Sequence, residues 1–246
     1  MRFFSVDILI LLVISITQVG CKHNVYDMDM VYIHGGNFMM GCDDIDADPD
    51  EQPKHSVYVK DFYIGKYEVT QEQWISICGR NHSEHRGKNL PVTNVSWDDC
   101  QIFIKKLNAK TGLNYRLPTE AEWEYVATLY CEQTKGLDIK SYAWYIGSFE
   151  YQRCSNVFPQ KVGSLSFESM GIYDIIGNVN EWCYDSYDSL SYLKGFSQES
   201  NEKVFRGGCF ANKEKYLRAT NRNHIDRHTK HFTLGLRLAM DADVHQ

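Results

Sequence analysis

The second half of this 246-residue chain has almost no regular apolar periodicity, and this feature limits its fold more than any other. Beyond Cys131 the sequence shows short strand patterns separated by long segments rich in Trp, Tyr and Gly. A hydrophobic fraction of 43% and an aromatic fraction of 13% are sufficient for a large core, which argues against global disorder. We therefore predict one α+β domain with few helices, short strands and much irregular structure.

Three helices are predicted from capping residues and apolar spacing in the first half of the chain. Thr70 is the N-cap residue of a short helix, and Ser96 begins a longer one that ends at Gly112. Thr119 and Glu122 form a capping box at the start of the third. Residues 30–42 and 61–70 show strand patterns, the first of them interrupted by a Gly-Gly turn.

The first 20 residues are predicted to be a signal peptide of the lipoprotein type. Their apolar run, Ile8–Ile16, is too short to span a bilayer. The Val-Gly-Cys ending resembles a lipobox in which Cys21 receives the lipid, although Gln18 departs from the usual residue. Plain secretion and a retained apolar anchor are the alternatives. We expect an exported lipoprotein of the bacterial cell envelope, on the periplasmic or surface side, held on the membrane through Cys21.

The rest of the sequence divides into a tether at 21–29, a folded domain at 30–241 and a tail at 242–246. The net charge of −6 argues against a nucleic-acid partner, which would require a basic face. Seven of the eight cysteines follow Cys21, and their spacing matches no metal site. Disulfides are permitted outside the cytoplasm, but a lipidated Cys21 leaves an odd number of thiols.

Four motifs, taken in order, resemble the formylglycine-generating enzyme (sulfatase-modifying factor) family. They are RLPTEAEWEYVA, GIYDIIGNVNEW, RGGCF and LGLRLA, and the similarity runs from about Met30 to Met240. The resemblance implies a single compact domain similar to C-type lectins and poor in regular structure.

The same resemblance implies a calcium ion as cofactor. The matching ligands are the side chains of Asp174 and Glu181 and the backbone carbonyls of Gly177 and Val179. Calcium prefers several oxygen ligands, and a tight glycine-containing turn can direct carbonyls and carboxylates at one point. The alternative is that Asp174 caps a turn and Glu181 pairs with an arginine.

Oxidases of the family bind copper through two cysteines five residues apart, and this sequence lacks that pair. Aligned on Arg-Gly-Gly, the two positions are Asn212 and Leu217, neither of which binds Cu(I). Cys209 is a lone thiol nearby, and Asn180 stands where the family usually has Trp. Copper is therefore not expected, and neither is the family's usual oxidase activity. Oxidation of sulfatase or other protein cysteines by an altered site that uses Cys209 is the alternative.

A polar segment between the RGGCF and LGLRLA motifs is the candidate ligand-binding surface. A polar segment on a rigid scaffold is typical of binding proteins, and a protein or a glycan is the expected ligand. The resemblance implies that this segment and the GNVNEW turn border one cleft, and it makes Arg218 and Arg222 framework residues. Variable proteins of diversity-generating retroelements use the same scaffold, which is an analogy only. The candidate residues are Asn180, Cys209, Asn212, Lys213, Tyr216, Asn221, Asn223, His224 and His228.

Two further interpretations of this polar segment remain open. It can be a solvated loop that binds nothing strongly. His224, His228 and His231 also have the spacing of a metal triad on one helix face, but the surrounding Asn, Asp and Thr residues are poor helix formers. Surface histidines are the preferred interpretation.

Overall fold

Ten short strands form three sheets in the computed structural model, which describes residues 26, 28–149, 157–195 and 198–242. The strands are β1 (Met30–Ile33), β2 (Gly36–Met40), β3 (His55–Val59), β4 (Phe62–Gly65), β5 (Tyr115–Arg116), β6 (Asn180–Ser186), β7 (Glu202–Arg206), β8 (Asn223–Asp226), β9 (Leu234–Gly235) and β10 (Ala239–Asp241). The first sheet has the order β1-β4-β10-β5, the second joins β2 to β3, and the third has the order β8-β7-β6-β9. The expectation of short strands and few helices is confirmed.

The segment predicted to be a signal peptide, 1–20, and the predicted lipidation site, Cys21, lie outside the described residues. So do most of the tether and of the tail. Within the described part of the chain, no helix combines the length and the apolar character needed to cross a bilayer.

All three predicted helices are present, and each begins with a capping box. They are α1 (Gln71–Cys78), α2 (Trp97–Thr111) and α3 (Glu120–Gln133), and a single turn, α4 (Ser191–Lys194), follows later. The side chains of Thr70, Ser96 and Thr119 each accept a hydrogen bond from the N3 backbone N–H, and each N3 side chain accepts one from the N-cap backbone N–H. Gly112 ends α2 with a left-handed φ of 74°, as expected for a C-cap glycine.

The pairing of the strands was harder to predict from the sequence than the helices were. The two strands on either side of the Gly-Gly turn exist, but they do not pair with each other: β1 pairs with β4 and β2 pairs with β3. The predicted strand at 61–70 ends at Gly65. The polar segment contains strand β8, which extends the third sheet through β7.

Buried ion pairs connect the helices to the irregular second half. Arg206 donates to Glu120 at 2.6 Å and also to Glu124, and all three side chains are buried. Arg222 binds the Glu120 carboxylate with two hydrogen bonds of 2.7 and 2.8 Å. Arg218 donates to the buried Glu51. The expected framework role of Arg218 and Arg222 agrees with these contacts.

Replacing Arg206 with Met is expected to lower the free energy of unfolding by about 3–5 kcal/mol, because it leaves buried carboxylates without their cation. The matched control is Lys88→Met, which removes the exposed Lys88–Glu72 pair and is expected to cost less than about 1 kcal/mol. Urea unfolding of both variants measures the difference. Equal losses would contradict the assigned role of Arg206.

Candidate functional site: a cleft at the edge of the third sheet

A cleft of about 350 Å³ lies where the third sheet meets the turn that follows β7. Asn180 begins β6, and Phe205, Asn223 and Ile225 extend into the cleft from β7 and β8. The opposite wall comes from residues 231–234. The lining residues are Asn180, Phe205, Cys209, Ala211, Asn212, Asn223, Ile225, His231, Phe232, Thr233 and Leu234.

Two consecutive glycines form the turn that carries Cys209 and Asn212. Gly207 and Gly208 have φ values of 98° and 69°, in the left-handed region that favours glycine. A Cβ atom on Gly208 would lie 2.5 Å from the Cδ2 atom of Leu217. The Asn212 side chain then closes the turn, since its Oδ1 accepts from the Cys209 N–H at 2.9 Å. The Arg-Gly-Gly motif therefore fixes one wall of the cleft.

Asn180, Cys209 and Thr233 form the floor of the cleft. The Asn180 amide donates to Thr233 Oγ1 at 3.2 Å, and the Asn180 N–H donates to the Thr233 carbonyl at 2.8 Å. Asn180 is 7% exposed and Cys209 is 2% exposed, yet the space above them is open. Burial raises the pKa of the Cys209 thiol, so it stays protonated at neutral pH.

Four of the nine candidate ligand-binding residues meet in this cleft, namely Asn180, Cys209, Asn212 and Asn223. The other five lie elsewhere. They are Lys213 and Tyr216 on the exposed turn after the cleft wall, Asn221 beside Asp48, His224 stacked on Tyr187, and His228 paired with Asp98.

The three histidines of the polar segment do not converge. His224 bonds to Glu202 at 2.8 Å, His228 to Asp98 at 2.6 Å, and His231 to Thr233. No group of three His, Cys, Asp or Glu side chains that could hold a metal ion occurs among the residues that the structure describes. The preference for surface histidines over a metal triad agrees with this arrangement.

Sequence reasoning missed the apolar half of the cleft. Phe205 and Ile225 are brought there by the β7–β8 pairing, which local patterns do not reveal. Phe232 is 37% exposed and lies within 4.5 Å of the His231 ring and 6.2 Å of Phe210. Phe232 and Tyr216 are the aromatic residues of the polar segment, and this was a signal that could have marked Phe232.

Two of the four predicted calcium ligands, the side chains of Glu181 and Asp174, have protein groups as hydrogen-bond partners. Both oxygens of the buried Glu181 carboxylate accept from Arg237 at 2.8–3.1 Å, and Oε2 also accepts from the Trp123 indole at 2.8 Å. Asp174 accepts from the Gly163 N–H at 2.6 Å, and burial raises the pKa of Asp174 to about 6. The Arg237 guanidinium therefore binds the Glu181 carboxylate, which was predicted to be a calcium ligand.

These residues do not fit a calcium ion as they are arranged, and calcium binding stays a prediction of the sequence. We expect the melting temperature to be the same in millimolar calcium as in EDTA, because Arg237 already neutralises Glu181. A site with a Kd one hundredfold below the calcium concentration would add about 2.7 kcal/mol and raise the melting temperature by several degrees. Such a rise, absent with magnesium, would support the sequence prediction.

Leu217, which aligns with the second copper ligand of the oxidases, is buried. Leu217 is 4% exposed and packs in the core that surrounds Trp123. No other thiol lines the cleft with Cys209 among the described residues. Thiolates are the form of cysteine that binds metals and attacks substrates, and the raised pKa of Cys209 disfavours that form.

We therefore expect slow alkylation of Cys209 in the native protein near neutral pH. With a pKa above the ordinary value, less than about 10% of the thiol is ionised at pH 7.5. The rate should rise with pH only in the alkaline range, because the raised pKa of Cys209 delays formation of the thiolate. Iodoacetamide labelling followed by peptide mass spectrometry measures it, with the denatured chain as the control. Fast native labelling at neutral pH would contradict this assignment.

The fold and the position of the cleft define a domain of the formylglycine-generating-enzyme type. Residues 19–242 match the sulfatase-modifying factor enzyme 1-like domain, and the chain belongs to this family. It is 28% identical to the chaperone protein LppX of Paenibacillus barcinonensis, over 85% of this chain and 88% of that protein. It is 26% identical to the formylglycine-generating enzyme of Streptomyces coelicolor, over 70% of this chain and 62% of the enzyme. The structure of Treponema denticola variable protein 1 covers 87% of this chain and 95% of its own, with a TM-score of 0.72 and 26% identity.

Proposed function

We propose that this protein is an exported, lipid-anchored binding protein that uses the cleft above Asn180 and Cys209 to hold a ligand. The observation that carries the proposal is the composition of the cleft. Three asparagine amides and the Phe232 ring line an open space of about 350 Å³, and one of them, Asn212, stands at one of the two positions that the resemblance gives to the thiol pair of the oxidases. Concave sites that join apolar walls to a few directed polar groups are typical of ligand sites.

The ligand is an uncharged, polar and partly apolar group. No Lys, Arg, Asp or Glu side chain lines the cleft among the described residues, and His231 is the only basic one. Amide groups both donate and accept hydrogen bonds, while Phe232 offers a flat apolar surface. A protein segment with an amide or hydroxyl side chain, or a sugar, has this chemistry. The name of the similar protein LppX, a chaperone protein, favours the protein segment.

The competing function is oxidation of a substrate cysteine by an altered site. It would have to operate with one protonated, 2% exposed thiol and without the second ligand position, which Leu217 fills. A single buried thiol neither holds Cu(I) well nor exchanges with a substrate thiol. The binding function is therefore the better supported of the two.

Attachment through a lipid on Cys21 is part of the same proposal and is supported by the sequence of the segment 1–21. More than one acyl chain is needed for stable membrane attachment, and bacterial lipoproteins carry more than one. The intact mass of the mature protein and its flotation with uncharged vesicles test this part separately from the cleft.

An activity assay separates the two functions. The mature protein, loaded with Cu(I) and supplied with oxygen, is incubated with a Cys-x-Pro-x-Arg peptide, and the peptide mass is followed. We expect no change in mass. Conversion to formylglycine that Cys209→Ala abolishes would overturn the binding proposal in favour of the altered oxidase.

Binding through the cleft is tested with a peptide library and a glycan array as probes. We expect Phe232→Ala to weaken the binding of any captured ligand at least tenfold, because an aromatic contact of about 1.5 kcal/mol or more is lost. Lys213→Ala and His228→Ala are the matched controls, since both side chains lie outside the cleft. Binding should also change little with salt, because charged groups do not line the cleft. Loss of binding in Lys213→Ala alone would move the site to the exposed turn, and loss in His228→Ala alone would move it to the surface beside Asp98.

A further inference from the structure

Helix α2 and the residue that follows its C-cap glycine form an exposed stripe that is basic at its centre and apolar at its ends. Lys105, Lys106 and Lys110 are exposed, and Ile102 and Leu113 are 52% and 45% exposed. None of the three lysines forms an ion pair with a described residue. We call these five residues the basic stripe.

The basic stripe contrasts with the charge of the whole protein. The net charge is −6, yet the segment 100–114 contains three lysines and no acidic residue. The acidic residues of α2 are confined to its first turn, where Asp98 pairs with Arg227 and Asp99 pairs with Lys230 at 2.7 Å. The stripe is therefore a local patch of uncompensated positive charge.

The end of the N-terminal tether lies against this stripe. Lys110 Nζ stands 4.6 Å from the centre of the Tyr26 ring and 3.4 Å from its hydroxyl. Tyr26 follows Cys21 by five residues, which span at most about 17 Å when fully extended. A domain of this size is roughly 40 Å across. A lipid on Cys21 would therefore bring the side of the domain that carries Lys110 close to the bilayer and leave the far side out of reach.

We propose that the basic stripe is the membrane-facing surface of this protein and binds anionic phospholipid headgroups. The proposal rests on the proposed lipidation of Cys21, which sets the distance. Exposed lysines attract an anionic leaflet, and each contributes about fivefold to the partition onto it. Ile102 and Leu113 supply the apolar contacts that interfacial helices insert between headgroups. The attraction decays over a Debye length of about 8–10 Å, and a tether of at most about 17 Å allows the stripe to come within that distance of the headgroups.

If the lysines of the basic stripe serve only to stabilise α2, a different result is expected. Lysines in the last turns of a helix interact favourably with its macrodipole whether or not a membrane is present. In that case their chemical reactivity would not depend on lipid charge.

The test uses the mature lipidated protein reconstituted into vesicles. One set consists of phosphatidylcholine alone, and the other contains phosphatidylglycerol as well. Lysines are acetylated briefly, and each site is quantified by mass spectrometry. We expect acetylation of Lys105, Lys106 and Lys110 to fall about fivefold on the anionic vesicles and to recover in high salt. Lys213 and Lys215, exposed on the turn that follows the cleft wall, are the internal controls and should not change.

Charge reversal supplies the matched variants. Lys105→Glu/Lys106→Glu should abolish the lipid-dependent protection of Lys110 and leave flotation with uncharged vesicles unchanged. Lys213→Glu/Lys215→Glu should leave the protection intact.

If the lipid on Cys21 is present and the lysines of the stripe are acetylated equally on both kinds of vesicle, the stripe does not face the membrane. That result would overturn the proposal without contradicting the lipid anchor. If the mature protein carries no lipid, the anchor is refuted. The membrane-facing surface would still be supported if this protein floated with anionic vesicles only and the Lys105→Glu/Lys106→Glu variant did not. Protection of the stripe that requires an added protein, and occurs on neither kind of vesicle, would assign it to a protein partner and overturn the proposal.

Discussion

Buried pairs of arginine and glutamate hold this structure together. A fold with short strands and long irregular segments has few repeated backbone hydrogen bonds, so its distant segments need other links. Arg206 and Arg222 converge on Glu120 from positions 86 and 102 residues away, and Arg237 binds Glu181 across 56 residues. Charge-assisted hydrogen bonds of this type are short and directional. They fix the path of the chain where sheet and helix geometry does not, and the Arg-Gly-Gly turn starts from one of them.

The helices were predictable because their signals are local. The cap of α3, Thr119, and its partner Glu122 are three residues apart, and so are Ser96 and Asp99 in α2. Strand pairing depends instead on residues far apart in sequence. Ala239 pairs with Ile64 and with Arg116 in the first sheet, and no nearby residue reports either partner. The order of the strands was therefore outside the reach of sequence patterns.

The candidate site was predicted in part, for a physical reason that β8 illustrates. Asn180, Cys209 and Asn212 belong to motifs whose backbone is fixed by glycines, and all three line the cleft. The polar segment was interpreted as a loop, in which every polar side chain is a candidate. In a strand, successive side chains point to opposite faces. Asn223 and Ile225 consequently face the cleft while His224 packs against Tyr187 on the other side.

Helix α2 relates the cleft to the proposed membrane surface. Its 15 residues span about 22 Å, and its first turn binds Arg227 in the turn after β8, next to the cleft. Its last turn carries Lys110 beside the tether, and the exposed Leu113 follows just after the helix ends. Acids at the beginning and lysines at the end also suit the helix macrodipole. Helix stability does not require exposed Ile102 and Leu113, whereas an interfacial surface uses them. The basic stripe begins at Ile102, about one helical turn after Asp98, so a single rigid element borders the cleft at its start and carries the proposed membrane surface along the rest of its length.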